Sequence, residues 1–467
     1  MPTITTFAGA SALGYGAFNS VNYNNWVDRL NYGSSGNRGS ATSMVYSSVT
    51  KNVYAVISDS NLVADPGAAL YSSTSTAQRL FFKRFGSASS ADETVNVINP
   101  SGSDILYVTG YFGVHASIRT MDSTGASLSA NYITYSGGYI GSRFLDSVNV
   151  GTVTYSAGFA YVATSGGSLY NANFIVTKYD SGSGLVWSRQ LAISPSTNAA
   201  NKSIGVDSSE NVYVSGDYNA IAYGTGTGPN YLHLAKYNSS GTLQWAKQIS
   251  DKATTNSGYG LEQKSKGIAV DSSGNCYVSF NNAGGSAQAN PNMRCGLIKF
   301  DSAGAFVWAL SIPYATYDNA STSAVTIGGD NNIYLAYAVG GATNSSYVAQ
   351  ITSSGTVNYT LSLSGYGNSY NSLQVVDNVV FATSGTISLV GPAMLALPSD
   401  GQLSGRFGAY TFAVNNAPTD FVFYNNAATL GISIIASSGV SSNVTATATS
   451  FSTTISDKTT PNVVTYL

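Results

Sequence analysis

Charge is what this chain has least of: 9% of its 467 residues are Asp, Glu, Lys or Arg, and the formal net charge is −2. With no basic cluster or acidic run, it lacks the electrostatic footprint that duplex nucleic acid requires, so nucleic acid is not an expected partner. No stretch of about 18 apolar residues occurs, which excludes a membrane-spanning helix on length and sets the expectation of no membrane insertion. The start, MPTITTFAGASALGYGAF, has neither a basic n-region nor a continuous apolar h-region and reads as a flexible or docking arm over 1–20 rather than a secretory signal. Histidine and cysteine are equally scarce, with two of each. Cys276 and Cys295 read as buried thiols, with a disulfide as the alternative, and they lack the further ligands of a zinc site. No metal and no cofactor is expected.

Glycine and tyrosine are abundant instead, at 49 and 33 residues. They are distributed through a unit that returns about every fifty residues. Its first half is a hairpin, clearest in SIGVDSSENVYVSG (203–216) and KGIAVDSSGNCYVSF (266–280). The aromatic anchor of the second strand falls at Tyr54, Tyr107, Tyr161, Tyr213, Tyr277, Tyr334 and Phe381. Its second half is another hairpin, as in FIVTKYDSGSGLVWSRQL (174–191), HLAKYNSSGTLQWAKQI (233–249) and GLIKFDSAGAFVWALSI (296–312). Asp or Asn opens the turns and Gly follows, the chemistry of Asx turns that end in positive φ.

Two hairpins make a four-stranded antiparallel sheet, which cannot bury both faces alone. Stacking such sheets around an axis solves this, so the fold class is an all-β propeller of four-stranded antiparallel blades. The units lie near 41–85, 92–133, 143–191, 201–249, 265–312, 321–363 and 370–408. A weaker eighth begins at FVFYNNAATLGISII, and Asn25-Trp26-Val27-Asp28-Arg29-Leu30 copies the ending of the outer strands. Eight blades are therefore preferred, the last built from 419–467 with 21–32 so that N- and C-terminal strands close the ring of a propeller spanning 21–467. Seven blades with terminal appendages is the alternative.

The motif GIAVDSSGNCYVSF followed by LIKFDSAGAFVW resembles the SBBP-type bacterial β-propeller repeat, with some similarity to NHL repeats. These repeats specify a scaffold and carry no single activity. The segment FAGASALGYGAF ahead of Gly/Ser/Asn/Tyr-rich repeats resembles structural proteins of tailed-phage virions, tail- and fibre-associated ones in particular. That resemblance implies a non-enzymatic virion structural protein, assembled in the host cytoplasm, that serves assembly or host-surface contact. Other virion proteins, a host-surface glycan and further copies of itself within the virion would be its partners.

Catalytic constellations are hard to find. Neither His115 nor His233 has a Ser-His-Asp arrangement in its neighbourhood, and the aspartates at 122, 180, 207, 271 and 301 are turn residues. Asp92, Glu93, Asp146, Asp217, Asp251 and Glu262 have no such explanation. Lys178, Lys236, Lys299 and Arg119 read as one repeated position whose stems pack on neighbouring blades while the heads reach solvent or a turn carboxylate, with a ring of positive charge as the alternative. The best binding candidates are loop tyrosines, Tyr218, Tyr223 and Tyr231, since Tyr with Ser, Gly and Asn supplies rigid contact area and adaptable hydrogen bonds. No catalytic residue is assigned. A carbohydrate-binding bacterial surface propeller is the first alternative function, extracellular or at the cell surface, and a polysaccharide-degrading enzyme acting through Glu262 or Asp217 is the second.

Overall fold

The computed structural model describes residues 26–30, 39–59, 67–74, 79–85, 93–99, 102–165, 168–192, 198–219, 230–251, 260–263, 266–282, 295–313, 320–339, 345–364, 370–387, 391–407, 410–416, 418–437, 440–450, 455–457 and 462–466. Antiparallel strands hydrogen-bond in chain order into seven blades, their middle strands buried on both faces. Blade 4 is typical, with strands Asn198–Val206, Val212–Asn219, Asn230–Tyr237 and Leu243–Asp251 from the inside outwards. Blades 3 and 4 are joined into one sheet through a parallel contact at Ala172 and Asn198.

A separate cluster of buried side chains fills each seam. Blades 1 and 2 meet through Val45, Val56, Val97 and Val108, and blade 1 meets blade 7 through Ala41, Met44, Phe381 and Met394. The anchor aromatics Tyr54, Tyr107, Tyr213, Tyr277, Tyr334 and Phe381 all lie on second strands and are buried.

The third blade corrects that reading. Tyr155, not Tyr161, stands opposite Lys178 as Tyr213 stands opposite Lys236 and Tyr277 opposite Lys299. On the far side of each lysine is a tryptophan, Trp187, Trp245 or Trp308. The Tyr–Lys–Trp row clamps the next blade. Each indole N–H donates to a turn carbonyl there, Ser239, Ser302 or Ser353, at 3.1–3.2 Å. Lys236 and Lys299 donate to the same Ser302 and Ser353 carbonyls, and Lys178 pairs with the Glu210 carboxylate at 3.3 Å. The turn glycines close over the rings: a Cβ on Gly304, at φ +78°, would lie 3.0 Å from the Trp245 indole. Glycine is required there both by conformation and by space.

Arg119 does not share this row. Thr120 is opposite Tyr107, and Arg119 is buried at 1% exposure on the other face. A slip of one residue in a strand moves a side chain to the opposite face.

The eighth blade is not formed. Trp26–Leu30 pairs antiparallel with Gly391–Pro398 as the outer neighbour of the third strand of blade 7, Trp26 opposite Ala396. The C-terminal segment is a belt. It lays Tyr410–Asn415 on the outer strand of blade 6, Val422–Tyr424 on blade 5, Ile432–Ala436 on blade 4 and Val440–Asn443 on blade 3. It continues with Ala446–Ser450 on blade 2 and Ile455–Asp457 on blade 1, and ends with Asn462–Tyr466 on Trp26–Leu30. Each segment caps an edge whose N–H and C=O groups would otherwise be unpaired. Between blades 5 and 4 the belt turns through one helical turn, Ala427–Leu430, capped by the Asn426 side chain and by Gly431 in the left-handed region. This helical turn lies inside the stretch that the sequence suggests as the start of an eighth blade.

Cys276 and Cys295 are buried and are not joined to each other by a disulfide. They sit at opposite ends of one strand pair, facing Phe300 and Asn281 respectively, which keeps them apart.

His233 is fully buried against Phe174, ring centroids 4.4 Å apart, and among the described residues neither ring nitrogen has a hydrogen-bond partner. Burial pushes its pKa down to about 3. The unfolded chain takes up this proton below pH 6.5 and the folded chain does not, so the contribution to stability is complete above pH 6.5 and is lost as pH falls towards 3. Denaturant titrations should show His233 contributing a loss of about 1.4 kcal/mol per pH unit through that window. His233→Phe should remove this part of the slope; an unchanged slope would count against it.

Candidate functional site

Near the axis, the inner strands carry β-bulges at matching positions: register shifts occur at Ala41/Ser43, Thr94/Asn96, Phe144/Asp146, Asn201/Ser203, Thr322/Ala324 and Tyr370/Ser372. A bulge re-aims the side chains around it. In blade 5 the inner strand is broken between Leu261–Glu262 and Ile268–Val270, and Lys266 occupies the gap with φ 65°.

The consequence is a polar network that crosses five blades. Lys266 Nζ reaches the Asp146 carboxylate and Asn96 Oδ1, each at 2.5 Å. Asp146 also accepts from Ser147 N at 2.8 Å, Asn96 Nδ2 at 3.2 Å, Ser203 Oγ at 3.2 Å and Ile204 N at 3.1 Å. Ser43 Oγ donates to Asn96 Oδ1 at 2.5 Å. Asp146, one of the unexplained carboxylates, is thus the hub of an axial lock, 3% exposed and saturated with donors.

A second polar group lies at the loop end of blades 4 and 5, opposite the Asx turns. Lys202, the bulge residue of blade 4, places Nζ 2.7 Å from the Asp217 carboxylate. Gln263 N donates to Asp217 Oδ2 at 3.3 Å, bringing the neighbouring Glu262 close. Glu262 Oε1 accepts from Asn230 Nδ2 at 2.9 Å, and among the described residues nothing bonds its other oxygen. Asp251 accepts from Asn282 Nδ2 at 2.9 Å at the same end.

Tyr218 and Tyr231, predicted from loop composition, are directly cross-strand neighbours with ring centroids 5.2 Å apart. Tyr218 is 4% exposed and donates its hydroxyl to Gln248 Oε1 at 2.5 Å, so it supports the site from within the core. Tyr231 is half-buried and presents the accessible ring. Tyr223 lies outside the described residues, as do Asp92 and the arm over 1–20. Lys202 and Lys266 escaped the sequence reading, because a bulge in an inner strand leaves no turn signal.

Among the described residues, no three His, Cys, Asp or Glu side chains gather for a metal ion. A groove of about 450 Å³ between Phe306, Lys247 and belt residues Asn426–Ala428 lies at the turn-end rim, away from these carboxylates.

No protein-family model matches the sequence. No curated protein matches it either. Solved structures do match the fold. An ulvan lyase of polysaccharide lyase family PL25 is 10% identical, with a TM-score of 0.49 over 80% of this chain and 96% of that one. A puromycin hydrolase mutant is 11% identical, with a TM-score of 0.43 over 82% and 55%. The Dos1 propeller is 9% identical, with a TM-score of 0.40 over 79% and 94%. The likeness is to β-propellers and is one of fold. It nevertheless corrects the non-enzymatic expectation, since a lyase and a hydrolase stand among the proteins that share this architecture.

Proposed function

We propose that the chain is a polysaccharide-acting propeller whose substrate is received at the loop end of blades 4 and 5. One observation carries this reading: two carboxylates on adjacent blades are held in unlike surroundings, Asp217 by the Lys202 ammonium and Glu262, among the described residues, by the Asn230 amide alone. Glycoside chemistry uses such a division, one carboxyl moving a proton at the leaving oxygen and the other assisting on the opposite side of the sugar. Tyr231 supplies a ring face for a sugar, backed by Tyr218. The ring itself is held by its terminal strands in this reading, the N-terminal strand completing blade 7 and the belt end pinning it.

Incubation with a panel of neutral and acidic polysaccharides, scored for new reducing ends and for unsaturated products, tests the proposal. Depolymerisation is expected, and Glu262→Gln should lower it about a hundredfold while leaving thermal unfolding unchanged, in line with the contribution of a general acid or base. Asp217→Asn should lower it similarly. If the wild-type protein shortens no polysaccharide in the panel, the reading is wrong.

The resemblance to phage tail proteins adds a setting: a propeller carried on a tailed-phage particle, meeting the envelope glycan of its host. Immunogold labelling of virions separates this from a bacterial surface setting.

A further inference from the structure

Six cationic side chains of blades 3 to 5 have partners. Lys178, Lys202 and Lys266 pair with carboxylates, Lys236 and Lys299 with turn carbonyls, and Arg189 with the carbonyls of Gly241, Ser240 and Ser188. Arg143 differs. It stands near the start of the inner strand of blade 3, Gly141–Val150, at the loop end and near the axis. Its guanidinium carbon lies 4.2 Å from the centroid of the Tyr111 ring on blade 2. Among the described residues no carboxylate or carbonyl is bonded to that guanidinium.

The surroundings are aromatic and fixed. Tyr111 is 8% exposed. His115 and Tyr132 stack at 5.3 Å at the same end of blade 2. The two blades approach so closely here that a Cβ on Gly141 would fall 2.7 Å from the Val114 carbonyl oxygen. A half-buried guanidinium held over a ring has lost part of its water and much of its freedom, with no counter-ion among the described residues. Its remaining N–H fork matches two oxygens of one anionic group.

We infer that Arg143 is an anion subsite, taking the carboxylate or sulfate ester of an acidic polysaccharide that crosses the loop end. The inference rests on the glycan-acting reading and sharpens it by naming the charge of the substrate. Sugar rings pass over the seam of blades 2 and 3, and Arg143 fixes their register relative to Glu262.

The test is equilibrium binding of the full chain to polygalacturonate, dextran sulfate and neutral dextran, with Arg143→Gln, Arg143→Lys and Glu262→Gln alongside. The wild type is expected to bind at least one acidic polymer and to favour it over dextran. Arg143→Gln should weaken that binding about tenfold or more, Arg143→Lys should fall between, and Glu262→Gln should retain it. The tenfold difference should shrink in high salt, where a charge contact is screened. Preference for polygalacturonate assigns the carboxylate and preference for dextran sulfate assigns the sulfate. Acidic binding unchanged in Arg143→Gln, or equal wild-type binding to dextran, overturns the subsite while leaving the glycan-acting reading in place. Binding to none of the three, together with no turnover on the wider panel, overturns both.

Discussion

A chain ending at Ser404 should fail to give a soluble, protease-resistant protein, whereas the full chain should give one. Truncation strips a strand from the rim of every blade, leaving six outer strands and the N-terminal strand as open edges. Open edges recruit one another, and with only 9% of residues charged there is little repulsion to prevent it. The belt also brings apolar anchors to the seams: Phe412, Leu430 and Ile432 are each 1% exposed or less. Each contributes about 1.5–3 kcal/mol by burial. Limited proteolysis and light scattering of the truncated and full proteins measure the effect. A milder variant keeps the question open to refutation: Ile432→Ala in the full chain should cost about 2–5 kcal/mol in denaturant unfolding. A truncated chain that stays dispersed and resists protease would show that the blades manage their edges without the belt.

Asp146→Ala should be the most destabilising single substitution near the axis, costing about 3–5 kcal/mol, because it leaves a part-buried ammonium without its counter-charge. The loss extends beyond the ion pair, since Asn96, Ser203 and Ile204 N also lose an acceptor. Lys266→Gly should cost less than Asp146→Ala. It abandons the same pair but relieves a non-glycine residue at φ 65°, a conformation that costs about 1–2 kcal/mol. The double variant should be more stable than the sum of the two single losses predicts, as coupled partners are not additive. Strict additivity would mean that the contact holds nothing together.

Much of this architecture was legible because each blade is a local event. The Asx turn at 271–275, with Asp271 Oδ1 accepting from Ser273 N and Asn275 N, announces its hairpin within a few residues. The belt has no such signature. Ile432–Ala436 pairs with Lys247–Asp251, far away in sequence, so no turn chemistry marks it and the stretch was mistaken for the start of an eighth blade. Arg119 failed for a different reason: alternation has a period of two, and aligning it one residue away from Thr120 reversed its face. At the candidate site, loop composition points to Tyr218 and Tyr231, which lie on the two strands flanking one connection rather than in the loop, while no motif marks Asp217 or Glu262. Their lysine partner could not be inferred, because the extra residue at Lys202 is visible only against its paired strand.

The position of Trp26–Leu30 between Gly391–Pro398 and Asn462–Tyr466 sets a schedule for biogenesis. At translation speeds of about 5–20 residues per second, this early segment leaves the ribosome tens of seconds before either neighbour exists. Throughout that interval it is an unsatisfied strand beside a growing array of blades. Contacts of such sequence separation form slowly, so the outer edge of blade 7 is among the last parts of the ring to be completed.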